Sequence, residues 1–165
     1  MQVSEVMTHG VRSCSVHDSL QEAARIMWES DCGCVPIVDD VERVVGMLTD
    51  RDICMAGYTQ GKPFAQIPVS AAMAKRVFAV AGHDDIEGAE LLMRARQIRR
   101  LPVLDRVGRL EGIITLNDLA RRAEIGRDAE GRTGDGLSGD TIATTLAAIS
   151  KPHSRESRKA AAPAR

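Results

Sequence analysis

The chain repeats itself. Sliding the sequence by 66 residues aligns residues 3–53 with 69–119 without a gap, and 15 of the 51 aligned positions are identical. Typical residue frequencies would give about three or four identities by chance. A single unit of this size buries little surface when it folds alone. The repeat therefore predicts two small, similar units that pack against each other.

Each repeat is predicted to fold as β-α-β-β-α, which gives an α+β (α/β layered) fold with two pseudo-symmetric repeats. Asp18 and Asp84 are expected to cap the first helix of each repeat, because Gln or Glu follows three residues later as in a capping box. The opening strand is expected near residues 11–16 in the first repeat and 77–80 in the second, and the first helices are expected to end at about Ser30 and Arg96. The hairpin strands are expected at 35–38 and 44–48 in the first repeat and at 101–104 and 110–114 in the second. The final helices are expected to begin at about Asp50 and Leu116.

The domain boundaries follow from composition. Glycine and proline between the repeats are typical of a linker, and a Ser138 cap before Ile142, Leu146 and Ile149 predicts one further helix. The resulting division is 3–56 for the first repeat, 57–68 for the linker, 69–122 for the second repeat, 123–150 for a loop and C-terminal helix, and 151–165 for a basic mobile tail.

Composition excludes several classes of protein. No apolar run reaches the roughly 18 residues needed to span a bilayer, and residues 1–10 lack the features of an export signal. We therefore expect a cytoplasmic protein with reduced cysteines and no membrane association. Charge is uneven, with −6 on residues 1–56, +2 on 57–119 and +3 on 120–165, but no basic stripe with interleaved aromatics indicates nucleic-acid binding.

A Thr-x-x-Asp step follows a glycine-led apolar strand in each repeat, at Thr49–Asp52 and Thr115–Asp118. A hydroxyl at a helix start can cap the helix, where free backbone N–H groups also attract phosphate. A carboxylate one turn later can accept hydrogen bonds from a ribose diol. The alternative is purely structural: the threonine is an N-cap, and the aspartate is favourable to the helix dipole. Recurrence at the repeat distance favours the ligand-binding interpretation.

Five segments resemble the signatures of CBS domains. They are Val-Met-Thr at 6–8, Cys-Gly-Cys-Val-Pro-Ile-Val-Asp at 32–39, Gly-Met-Leu-Thr-Asp-Arg-Asp at 46–52, Arg-Arg-Leu-Pro-Val-Leu-Asp at 99–105 and Gly-Ile-Ile-Thr-Leu-Asn-Asp at 112–118. The resemblance covers about residues 3–122, and the chain is similar to the stand-alone bacterial form of the family, a CBS pair without a catalytic domain. It implies a Bateman module, in which two repeats pack sheet to sheet with two clefts between them. Such modules commonly dimerise into a flat disc, bind AMP, ADP, ATP or S-adenosylmethionine, and regulate another protein.

The resemblance also implies which residues bind the ligand. One cleft would pair Met47, Thr49 and Asp52 with Ile98 and Arg99, and the other would pair Ile113, Thr115 and Asp118 with Cys32 and Gly33. Arg99 and Arg100 suit bidentate phosphate contact, although they also suit a solvated pair at a helix end. Arg51 could reach a phosphate or face solvent. The hypothesis is that the Thr49 cleft, which would hold the cation, binds a phosphorylated adenosine more strongly than the Thr115 cleft.

Two alternative functions remain open. Cys14, Cys32 and Cys34 could form a redox or metal sensor, although the second cysteine pair typical of a structural zinc site is missing. The second alternative is a dimeric scaffold with empty clefts. No nucleophile constellation, P-loop or dinucleotide fingerprint occurs, so we expect a protein that is not an enzyme. The resemblance implies that it is a homodimeric regulatory protein. It would need no cofactor and would take an adenine nucleotide or S-adenosylmethionine as a regulatory ligand.

Overall fold

The computed structural model of the chain describes residues 1–125 and 137–152. The strands are β1 (Thr8–His9), β2 (Cys14–Ser15), β3 (Cys34–Val38), β4 (Val44–Thr49), β5 (Val80–Ala81), β6 (Arg100–Leu104) and β7 (Leu110–Thr115). The helices are α1 (Leu20–Glu29), α2 (Asp50–Gln60), α3 (Ile86–Arg96), α4 (Leu116–Ile125) and α5 (Gly139–Ile149), with short 3-10 helices at Val3–Glu5, Phe64–Gln66 and Val69–Ala71.

Two sheets of matching design confirm the predicted fold class. The first has the order β2-β3-β4 and the second the order β1-β7-β6-β5. Each contains one antiparallel hairpin, β3–β4 or β6–β7, and a short parallel strand, β2 or β5, beside it. The apolar residues of the hairpin strands are buried against the helices of the same repeat.

The opening segment of each repeat packs on the other repeat. β1 pairs with β7, and the Val3 backbone N–H donates to the carbonyl of Asp84 at 2.9 Å. In the same way, Met47 of β4 exchanges two backbone hydrogen bonds with Ala74, at 3.1 and 2.8 Å. Each apolar core therefore contains residues from both halves of the chain. These residues are Met1, Val3, Val6 and Met7 in the core of the second repeat, and Ile67, Val69, Ala72 and Met73 in the core of the first.

The predicted caps of the first helices are wrong by one residue. Ser19 caps α1, its hydroxyl accepting from the backbone N–H of Glu22, and Asp85 occupies the cap position of α3. Asp18 instead accepts from the backbone N–H of Ser15 at 2.8 Å, and Asp84 makes the equivalent bond to Ala81. These carboxylates therefore close the turn between the opening strand and the helix.

The predicted C-terminal helix is present as α5. The Ser138 hydroxyl accepts from the backbone N–H of Thr141 at 3.1 Å, as an N-cap does. The helix lies against α3 and α4 of the second repeat. Of the predicted basic tail, residues 153–165 lie outside the described part of the chain, as do residues 126–136 of the predicted loop.

Candidate functional site

Both Thr-x-x-Asp steps form reciprocal capping boxes. The hydroxyl of Thr49 accepts from the backbone N–H of Asp52 at 3.2 Å, and Asp52 accepts from the backbone N–H and hydroxyl of Thr49 at 2.9 and 2.7 Å. Thr115 and Asp118 repeat the arrangement, with the corresponding distances at 3.2, 2.8 and 2.6 Å. The structural role proposed for these residues is therefore met in both repeats, since each box fixes the start of a helix.

The second step carries further contacts that the first lacks among the described residues. Asp118 is only 5% exposed, and its second carboxylate oxygen accepts from the guanidinium of Arg121 and lies 3.5 Å from the hydroxyl of Thr8. In the first repeat, the residue that aligns with Arg121 is Met55. The Thr115–Asp118 step is thus built into a polar, charged wall, and the opening segment of the first repeat contributes to that wall.

A cavity of about 490 Å³ lies between the repeats in front of this wall. Its lining includes seven of the twelve predicted site residues: Cys32, Gly33, Arg99, Arg100, Ile113, Thr115 and Asp118. The other five predicted residues do not line it: Met47, Thr49, Arg51, Asp52 and Ile98. The cavity therefore brings together Thr115, Asp118, Cys32 and Gly33, the residues that the prediction pairs in one cleft.

Arg99, which the resemblance pairs with Thr49, lies at the other cleft, and which of the two clefts binds a nucleotide more strongly stays a prediction. Arg99 and Arg100 line the cavity of Thr115 and Asp118, because Arg100 pairs with Thr115 in the β6–β7 hairpin and the carbonyl of Arg99 accepts from the backbone N–H of Leu116 at 2.9 Å. Hairpin register thus holds both arginines at the strand end where their own threonine lies.

The cavity is basic, and two of its four arginines were not among the predicted site residues. Arg12 and Arg121 line it together with Arg99 and Arg100, against the carboxylates of Asp31 and Asp118. The position of Arg121 was predictable, because three residues after Asp118 places it on the same helix face. The position of Arg12 was not, because it depends on the crossing of the opening segment to the other repeat.

Two of the cysteines have thiols whose pKa is raised. Burial, reinforced by a hydrogen bond to Asp18, raises the pKa of Cys14 to about 12. Burial also raises the pKa of Cys34, while the nearby guanidinium of Arg100 acts in the opposite direction. Cys32 and Cys54 are exposed. Within residues 1–125 and 137–152, no group of three or more His, Cys, Asp or Glu side chains is arranged to hold a metal ion.

These environments predict an order of thiol reactivity. Alkylation of the folded chain with iodoacetamide at pH 8 should label Cys32 and Cys54 first, because the thiolate is the reactive form and both are accessible. Cys14 should be labelled only after unfolding. Peptide mass mapping over time gives the order, and labelling of Cys14 at the rate of Cys54 would contradict it.

Sequence comparison then assigns the family. A family model described as CBS domain matches residues 3–58 and 69–124. The chain belongs to the CBS-domain family. Its two CBS domains correspond to the two repeats, and the cavity described above lies between them. In the described part of the chain, no helix is both long enough and apolar enough to cross a membrane.

Several CBS-domain proteins are similar over most of their length. The chain is 39% identical over 118 residues to the CBS domain-containing protein YhcV of Bacillus subtilis (strain 168), covering 72% of this chain and 82% of that protein. It is 35% identical over 117 residues to hypoxic response protein 1 of Mycobacterium tuberculosis (strain ATCC 25618 / H37Rv), covering 71% and 81%.

Solved CBS-pair structures have the same fold. The structure of Hypoxic Response Protein I with two coordinated zinc ions superposes with a TM-score of 0.67 at 34% identity, covering 73% of this chain and 98% of that one. The CBS domain pair of protein MJ0100, in complex with 5′-methylthioadenosine and S-adenosyl-L-methionine, gives a TM-score of 0.67 at 25% identity, covering 74% and 98%.

Proposed function

We propose that the chain is a regulatory module that binds a phosphorylated adenosine, such as AMP, ADP or ATP, in the cavity between its CBS domains. One observation carries the proposal: four guanidinium groups and a Thr-x-x-Asp helix start converge on a single cavity of about 490 Å³. A volume of this order is in the range of small-molecule sites, about 300–1,000 Å³.

The charge of the cavity favours a phosphorylated adenosine over adenosyl ligands without phosphate. Arg12 pairs with Glu29 at 2.8 Å and Arg121 pairs with Asp118, so Arg99 and Arg100 supply most of the charge for an anion. The α4 N-terminus also begins at this wall and favours negative charge. S-adenosylmethionine carries a sulfonium cation, which these groups would repel. The related CBS domain pair of protein MJ0100 was solved in complex with 5′-methylthioadenosine and S-adenosyl-L-methionine, which supports an adenosyl ligand for this chain.

The module would act on another protein rather than catalyse a reaction. A ligand changes the arrangement of the two CBS domains only if it binds two arrangements with different affinity. The cavity is formed from both domains, since Cys32 and Gly33 come from the first and Arg99 and Arg100 from the second. Ligand binding would therefore tighten the contact between the domains. The homodimer and the regulated protein stay predictions.

The proposal predicts a ranked set of ligands. The unfolding temperature of the chain should rise in a dose-dependent way with ATP, ADP and AMP. At a ligand concentration of 100 times the dissociation constant, binding adds about 2.7 kcal/mol to the free energy of unfolding. Calorimetry should rank these nucleotides above 5′-methylthioadenosine and S-adenosylmethionine.

Other results of the same experiment would contradict the proposal. Tighter binding of S-adenosylmethionine than of ATP would remove the argument from charge. A shift with zinc and with no adenosyl ligand would favour the cysteine-based sensor. No shift with any of these at millimolar concentration would favour the scaffold with empty clefts.

A further inference from the structure

The carboxylate of Asp118 lines the ligand cavity with all of its acceptor positions in use. A carboxylate offers about four such positions on its two oxygens. One oxygen of Asp118 accepts from the backbone N–H of Thr115 at 2.8 Å and from its hydroxyl at 2.6 Å. The other oxygen accepts from the guanidinium of Arg121 and lies 3.5 Å from the hydroxyl of Thr8. A ribose diol can therefore bind Asp118 only if one of these donors leaves.

Arg121 is the donor that can leave most easily. The two bonds from Thr115 belong to the capping box at the start of α4. Thr8 lies in β1 and is held by its pairing with Ile113 of β7. The side chain of Arg121 is 66% exposed, so water can solvate its guanidinium once it leaves Asp118, and a rotation of the side chain is sufficient to move it.

The same cavity provides a second anion for Arg121 when a phosphate enters it. Arg121 lines the cavity together with Arg99 and Arg100. A guanidinium binds phosphate through strong, charge-assisted hydrogen bonds that are often bidentate. A phosphate held by Arg99 and Arg100 would therefore offer Arg121 an alternative to the carboxylate of Asp118.

The first repeat shows that the capping box does not need this arginine. Asp52 accepts from the backbone N–H and hydroxyl of Thr49 at 2.9 and 2.7 Å, as Asp118 does from Thr115. The residue that aligns with Arg121 is Met55, which has no guanidinium to donate. Since the helix start forms without an arginine in the first repeat, Arg121 serves another purpose in the second.

We propose that Arg121 is a selectivity latch of the ligand cavity, a role that rests on the proposed function. In the ligand-free chain, its guanidinium holds the carboxylate of Asp118. When a nucleotide enters, the phosphate binds the guanidinium, and the ribose diol replaces it on Asp118. Each charged group then keeps a hydrogen-bonding partner throughout the exchange.

The latch discriminates against adenosine without phosphate. Adenosine would also have to displace Arg121 from Asp118, but it offers the guanidinium no anion in return. Asp118 would exchange a charged donor for neutral hydroxyls, which form weaker hydrogen bonds. Arg121 thus lowers the affinity for adenosine and raises the affinity for ATP. A residue that only bound phosphate would do the second and not the first.

The test replaces Arg121 with the residue that aligns with it in the first repeat. Titration calorimetry measures the affinities of the full chain and of Arg121→Met for ATP and for adenosine. In the variant, adenosine should bind about threefold more tightly and ATP about threefold more weakly, so the preference for ATP falls about tenfold.

Arg106→Met is the matched control. It removes the same charge from the same repeat, but Arg106 is exposed in the turn between β6 and β7. Its preference for ATP over adenosine should stay within about twofold of the parent chain, since a distant exposed charge is screened. An equal change in both variants would assign the effect to net charge and overturn the latch.

The remaining outcomes separate the latch from the proposed function. Weaker ATP binding with unchanged adenosine binding would make Arg121 an ordinary phosphate ligand. An unchanged preference for ATP would remove Arg121 from ligand selection. Either result overturns the latch and leaves the proposed function intact. A parent chain that binds neither ATP nor adenosine would overturn the proposed function, and the latch with it.

A measurement without ligand checks the closed state of the latch. Urea unfolding of Asp118→Asn, Arg121→Met and the double variant completes a double-mutant cycle. The two residues should be coupled by about threefold or more in the unfolding equilibrium constant, as is usual for residues in contact. Additive effects would mean that Arg121 does not hold Asp118 in solution and would overturn the latch.

Discussion

Gly112→Ala is expected to destabilise the chain by about 1–3 kcal/mol, in the range of overpacked cores. A Cβ atom at Gly112 would lie 2.7 Å from the backbone oxygen of Thr8 and 2.9 Å from the sulfur of Met7. Gly112 lies opposite His9 in the β1–β7 pair, so the clash falls on the opening segment that crosses from the other repeat. A backbone atom cannot move aside without breaking this pairing.

Two further glycines provide graded controls. At Gly46, a Cβ would meet the flexible end of Met73 at 2.5 Å and the backbone oxygen of Ala74 only at 3.3 Å, so Gly46→Ala should cost less than Gly112→Ala. At Gly88 in α3 no atom lies within 4 Å, and alanine should stabilise the helix by about 0.5–1 kcal/mol. Urea unfolding of the three variants measures the order, and equal midpoints would contradict it.

The double variant Arg99→Ala/Arg100→Ala should reduce ATP affinity by about 100-fold or more, since each hydrogen bond to a charged group contributes about 1.5–3 kcal/mol. Both side chains line the cavity, and their loss leaves Arg12 and Arg121, which already pair with carboxylates. Titration calorimetry at fixed salt measures the loss, which should shrink as salt rises because charge interactions are screened.

Arg106→Ala/Arg109→Ala is the matched control for this loss. It removes the same two charges from the same repeat, but Arg106 and Arg109 are exposed in the turn between β6 and β7. Its ATP affinity should stay within a few-fold of the parent chain. If both double variants lose affinity equally, net charge rather than the cavity is responsible, and the proposed site is wrong. Unfolding midpoints of both variants show whether the fold is intact.

Local patterns in the sequence were sufficient for much of the fold. Short apolar runs separated by polar turns, together with the repeat distance, predicted both hairpins, and the Ser138 cap predicted α5. The prediction of Asp18 as the cap failed because an aspartate can close a preceding turn as well as cap a helix N-terminus. The exchange of opening segments was missed because it depends on contacts between residues about 80–110 positions apart, such as Val3 with Asp84.

The sequence predicted which residues belong to the candidate sites better than it predicted which of them lie in the same cavity. Thr115, Asp118, Cys32 and Gly33 meet as the resemblance to CBS domains implied. Arg99 was assigned to the other cleft, since a motif carries no information about which side of a hairpin faces which cavity. Strand register, with Arg100 opposite Thr115, decides this.

The crossing of the opening segments also bears on how such a chain can be divided. A cut in the linker would leave the first fragment with Val3 and Met7 but without the core that receives them, and would remove Ile67 and Val69 from the core they complete. Neither fragment would hold a complete core, so we expect the duplicated halves to fold and unfold as a single cooperative unit.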